Sequence, residues 1–169
     1  MPCDFGAGPF WSFLTDMKNK IDERLPNERV SYIWNNIVKA EYHDDAKPDR
    51  YKVPSDIYAK FLDVNRRLIL GEIEIIRPDV LVFFTGAESS GYDIVMDDVF
   101  GDGMSVIKVD IDIDGNKNIL ARASLPKFGD AYISYHPLGL QLHAGRKAKD
   151  IVLNRIAEQC AIVMNKGRV

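Results

Sequence analysis

Apolar positions along the chain follow two rhythms. Between Pro9 and Arg24, Phe10, Phe13, Leu14, Met17 and Ile21 recur at helical spacing, and Pro9 suits a first helical turn. Leu25-Pro26-Asn27 ends that element. A longer helix is predicted from Ser55, which can cap it, to about Ile76. Ile57, Phe61, Val64 and Leu68 form its stripe, and Leu62, Ile69, Ile73 and Ile76 widen it. Arg77-Pro78 stops it, because a proline disfavours helical geometry in the residue before it. A shorter helix over 88–99 and an amphipathic helix from Arg146 to Asn165 complete the set. Ile151, Ile156, Cys160 and Val163 are buried candidates of the last one.

The second rhythm is that of strands. Val30–Val38, Val80–Phe84 and Ala131–Tyr135 are short apolar runs, and the middle one is continuous, as expected of a parallel strand covered on both faces. Val109, Ile111 and Ile113 alternate with Lys108, Asp110, Asp112 and Asp114, the pattern of a half-exposed strand. Asp114-Gly115-Asn116 reads as a turn and Ile119–Leu125 as the returning strand. The polar stretch from His43 to Pro54 reads as a loop. Alternating strands and helices predict one α/β domain over 1–169 with a mainly parallel central sheet and an antiparallel hairpin near 105–125. Val30–Val38, Val80–Phe84 and Ala131–Tyr135 are expected as neighbouring parallel strands. Helices near 10–24, 55–76 and 146–165 are expected on both faces.

Composition changes this picture little. The chain has 169 residues, enough for a real core, with 46% hydrophobic and 28% charged residues. A net charge of −3 argues against strong non-specific attraction to nucleic acid, although a local basic rim is compatible with it. Cys3 and Cys160 stand far apart, which points to a reducing compartment and a cytoplasmic location. No signal peptide opens the chain and no apolar run reaches membrane-spanning length, so no membrane association is expected.

Several motifs have dull explanations. Asp110-x-Asp112-x-Asp114-Gly115 mimics the start of a calcium loop, but the position that needs a bidentate glutamate is Ala121. Gly6-x-Gly8 and Gly101-x-Gly103 lack the full dinucleotide fingerprint. His43, His136 and His143 make no zinc pattern with the cysteines. The informative residues stand at strand ends: Asn36, Thr85-Gly86 and His136. In open α/β sheets, ligands bind beyond the carboxyl ends of the strands. The prediction is that Asn36, Thr85, Gly86 and His136 line one cleft there, with Phe10 nearby.

Three stretches resemble the uracil-DNA glycosylase superfamily. Asn36-Ile37-Val38-Lys39 is similar to the N-V-V-K segment of its bacterial and archaeal branches. The stretch from Glu72 to Gly86 is similar to its helix-then-strand segment, and Ser134-Tyr135-His136-Pro137 to its late histidine-proline motif. The resemblance runs from about Pro9 to the C-terminus. It implies a three-layer α/β/α sandwich with a base-flipping site for uracil or a related damaged base in DNA; the cost of flipping points to single-stranded or mismatched DNA as the substrate. It implies that His136 hydrogen-bonds the leaving base, Asn36 reads the base edge and Phe10 stacks on the base, with Thr85 and Gly86 in the base-binding loop. The segment after the histidine-proline pair, with Pro137, Leu138 and Leu140, would engage the duplex, one of the two leucines entering it. Arg146 and Lys147 are further DNA-binding candidates.

Two departures shape the expectation. The family's early loop, of Gly-x-Asp-Pro or Gly-Glu-x-Pro-Gly type, carries the water-activating group and has no match here; Met1–Gly8 lacks the apolar run of a central strand, and Asp4 is the sole early carboxylate. Ala40 stands where iron-sulfur branches carry a cysteine, so no cluster or other cofactor is expected. The chain is therefore expected to be a weak or inactive glycosylase. The alternative is a non-catalytic descendant of that fold that binds nucleic acid or a protein.

Overall fold

A computed structural model describes residues 8–36, 55–85, 99–101, 105–108, 119–125 and 127–166. Helix α1, Pro9–Arg24, starts on a proline in its first turn and closes at Leu25, whose N–H reaches the carbonyls of Ile21 and Asp22. Helix α2, Ser55–Ile76, ends at Arg77, which takes a positive φ of 48° and donates its N–H to the Ile73 carbonyl at 2.8 Å. Left-handed geometry at the residue after a helix is a common stop.

Among the described residues four strands follow the two helices. β1 is Leu81–Phe83, β2 Ser105–Lys108, β3 Leu120–Leu125 and β4 Gly129–Ser134. They form a sheet of order β1-β4-β3-β2. β1 and β4 are parallel, with Phe83 opposite Ile133. β3 pairs antiparallel with both β4 and β2. The hairpin expected near 105–125 is thus present as β2–β3 and forms an antiparallel edge; its turn at 114–116 lies outside the described residues.

Helix α3, Pro137–Lys166, follows β4. It is broken at Gly145, whose φ of 72° and ψ of 177° belong to a region open essentially to glycine alone. The predicted helix from Arg146 is the part beyond this break. The first part, 137–144, replaces the loop expected after the histidine-proline pair.

Strand side chains alternate between two hydrophobic clusters, as the period of two requires. On one face Val82, Leu120 and Tyr132 join Phe13, Leu14, Met17 and Ile21 of α1 and Val152, Leu153 and Ile156 of α3. On the other, Leu81, Phe83, Ala121, Ala123, Ala131 and Ile133 meet Ile69 and Ile73 of α2 together with Val99 and Phe100. The protein is a mixed α/β fold. Lys149 pairs with Asp16, and Arg24 donates to Asn154 at 3.3 Å, tying α1 to α3.

Two expectations are not met among the described residues. Residues 29–36 form no strand: this segment is held by side chains instead of a backbone ladder. The Tyr32 hydroxyl donates to Asp22 at 3.2 Å, its ring lies below the Lys18 ammonium, and the Asn35 amide donates to Glu72 at 2.8 Å. In consequence the expected row of three adjacent parallel strands is not formed among the described residues. Among the described residues β1 pairs with β4 alone, and it is half-buried along its length. One of the three described pairings is parallel and two are antiparallel, so the described sheet is mixed rather than mainly parallel.

Candidate functional site

β1 and β4 run parallel and in register, so the residues after them leave the sheet at the same rim. Phe84 and Thr85 follow β1; Tyr135 and His136 follow β4. The start of α1 lies across this rim. Phe10 stacks on His136 with ring centroids 5.3 Å apart and planes 9° from parallel. It also meets Phe84 edge-on at 6.3 Å. Phe13, one turn further along α1, touches the same Phe84 ring at 5.2 Å and is itself fully buried.

Two tryptophans enlarge the cluster. Trp11 packs edge-on against Phe10 at 5.2 Å, and Trp34 lies against both at 5.6 and 5.4 Å. Trp34 is 49% exposed, so the cluster opens to solvent on that side. Asn36 is exposed two residues beyond Trp34, and its N–H bonds the side-chain oxygen of Asn35.

His136 also begins α3, its carbonyl accepting from the Leu140 N–H at 2.9 Å. Desolvation pushes its imidazole below the ordinary value of 6.5. The positive end of the helix acts in the same direction. Both effects favour the neutral ring, which offers one N–H donor and one acceptor nitrogen. Just before it, Ser134 is fully buried and its hydroxyl donates to the Ile119 carbonyl at 2.8 Å, which fixes the end of β4.

The rim thus brings Phe10 against His136, with Thr85 following β1 at the same rim. It brings Asn36 only as far as the Trp34 contact, from a segment that is not a strand. Gly86 lies outside the described residues, as do the side chains of Leu138 and Arg146. Lys147 is exposed on α3 beyond the Gly145 break. The expectation for Leu140 is corrected: it is 0% exposed in the core between α1 and α3, and Pro137 is also fully buried. A side chain there cannot enter a duplex without leaving the core. Sequence reasoning missed Trp11, Trp34 and Phe84. Their signal is adjacency: Phe10-Trp11 is an aromatic pair, and Trp34 stands two residues before Asn36.

The Phe10–His136 pair has no slot between its rings. A base sandwiched there would need about 7 Å, twice the ~3.4 Å stacking rise of nucleic-acid bases. Among the described residues no group of His, Cys, Asp and Glu could hold a metal ion, and no helix is long and apolar enough to cross a membrane. A concavity of about 430 Å³ lies near the other end of β1, bordered by Leu81, Arg77 and Lys127, away from the aromatic rim. No protein-family model, curated protein or solved structure matches the chain.

Proposed function

We propose that this protein is a uracil-DNA glycosylase-like base-binding domain, built as a three-layer α/β/α sandwich, that receives a flipped base at the Phe10–His136 rim. The observation that carries the reading is the meeting of an aromatic ring and an imidazole where two parallel strands end side by side. A ring face attracts a base by stacking, and this contributes roughly 1–3 kcal/mol per base.

In the reaction this arrangement would serve, the bond between the sugar C1′ and the base nitrogen breaks. The electron pair leaves with the base, and a water oxygen adds to C1′ and gives up a proton, which neutralises the departing base anion. The His136 N–H donates to the base oxygen as negative charge builds there, a contribution of roughly 3–4 kcal/mol for one such donor. The Asn36 amide offers a donor and an acceptor to the base edge. Flipping costs a few kcal/mol of unstacking, least in single-stranded or mismatched DNA.

A second reading, a binding module of the same fold, rests on the stacked ring pair, which serves binding whether or not a base is then cleaved. Single-stranded DNA carrying uracil should bind more tightly than the same strand with an abasic site in its place, and His136→Ala should weaken that preference. Any uracil release should fall about a hundredfold or more in His136→Ala, the loss expected for one oxyanion-type donor. Asn36→Asp should alter base choice, because a carboxylate has no donor. Equal binding of the two strands together with no release would overturn the reading. Robust release by the 169-residue chain, lost in His136→Ala, would establish a full enzyme instead.

A further inference from the structure

Helix α2 has two apolar faces, and the sheet uses one of them. Ile69 and Ile73 are buried against the sheet. Ile57, Val64, Leu68 and Ile75 are left 37%, 43%, 47% and 84% exposed. At ~100° per residue these four fall within an arc of about 40°, and Ile69 and Ile73 lie roughly 120–160° away around the helix. Large aliphatic residues aligned on an exposed face mark an interaction surface.

The spacing of the stripe says what partner fits it. The four residues are separated by seven, four and seven positions, so the pattern reads the same in both directions. Such a stripe is complementary to itself when a second copy is laid antiparallel across a two-fold axis near residue 66. Ile57 then faces the partner's Ile75, and Val64 faces the partner's Leu68. A surface shared in this way by both copies is the rule in two-fold dimers.

Charge agrees with the same register. Antiparallel helices bring the same flank of each together. On one flank stand Lys60 and Glu74, both exposed. With a rise of ~1.5 Å per residue, Lys60 comes within about 3 Å, along the axis, of the partner's Glu74, and the pair occurs twice. Arg67, near the axis, would face its own copy, but Asp63 already pairs with it at 2.9 Å.

We propose that the protein forms a two-fold symmetric dimer through an antiparallel pairing of α2, with Ile57, Val64, Leu68 and Ile75 as its apolar seam and Lys60–Glu74 contacts setting its register. The dimer does not depend on the base-binding reading. One helix face per copy makes a small interface, so the association should be reversible and concentration-dependent.

Sedimentation velocity of the full chain across micromolar concentrations tests this. A monomer–dimer equilibrium is expected. Leu68→Glu, on an exposed position, should abolish it with an unchanged circular dichroism spectrum. Lys60→Glu and Glu74→Lys should each weaken it about tenfold by replacing two attractive contacts with two repulsive ones, and the double variant should restore it. A chain that stays monomeric throughout overturns the proposal and leaves the stripe to a different partner. A dimer indifferent to Leu68→Glu overturns it as well, and failure of the charge exchange to restore association overturns the antiparallel register.

Discussion

Phe10 and Phe13 sit one turn apart on α1 and touch the same Phe84 ring, yet they should fail in different ways. Phe13 is fully buried between α1, β1 and α3. Phe13→Ala removes a whole ring from the core and should destabilise the protein by roughly 3–5 kcal/mol, a large part of the ~5–15 kcal/mol typical of a domain. Phe10 is half-buried at the rim. Losing half of the ~200 Å² that such a ring buries, at ~25 cal/mol/Å², corresponds to about 2–3 kcal/mol. The decisive difference concerns His136. Its imidazole is depressed by desolvation, and the ring stacked on it belongs to Phe10. Phe10→Ala should let the His136 pKa rise back toward 6.5, whereas Phe13→Ala should leave it low. Because the folded value lies below the unfolded one, the unfolded chain binds the extra proton first as pH falls. Stability should therefore decline as pH drops below about 6.5, until the folded value is passed, and Phe10→Ala should flatten that decline. Urea denaturation at several pH values and an NMR titration of the His136 ring measure both effects. An unchanged His136 titration in Phe10→Ala would refute the assignment of its desolvation to that ring.

Two further outcomes can be checked on the same protein. Ser134→Ala strands the buried Ile119 carbonyl, and a loss of about 1–3 kcal/mol is expected by urea denaturation. Burial pushes the Cys160 thiol up to about 11, so it should react with a thiol reagent at neutral pH only after unfolding.

What the sequence makes legible follows from how local each signal is. The limits of α1 and α2 are readable because Pro9 starts one helix, and Leu25-Pro26 and Arg77-Pro78 end the two. The returning strand is readable from its apolar limits at Ile119 and Leu125, while the alternating residues 109–114 lie outside the described residues. The conformation of residues 30–36 is not readable, because β-rich composition does not state whether a strand partner is available; here α1 captures Tyr32 and Trp34 by their side chains. The stripe of α2 is visible as apolar spacing, but periodicity does not say which half of a wide stripe meets the sheet. The widening residues Ile69 and Ile73 are buried, and Val64 and Leu68 are not. At the rim, Phe10 and His136 are legible from the motifs that carry them. The failure at Leu140 has a local cause: the residues after His136 continue as helix to Gly145, which turns Leu140 inward.

On the proposed reading, in which the Phe10 face takes a planar ligand, the stack of His136 on it makes the protein its own competitor. A planar ligand reaches that ring face only in molecules whose imidazole has swung aside. A ring pair of this kind contributes ~0.5–1.5 kcal/mol, so displacing it lowers apparent affinity roughly two- to tenfold below the intrinsic value. The displacement also screens ligands. A ring that merely stacks gains little over the side chain it evicts. A ring carrying an oxygen that accepts from the displaced imidazole N–H recovers the loss in the same movement. Selection at this rim would then depend on the exchange of one partner for another, and only secondarily on the shape of a preformed hole.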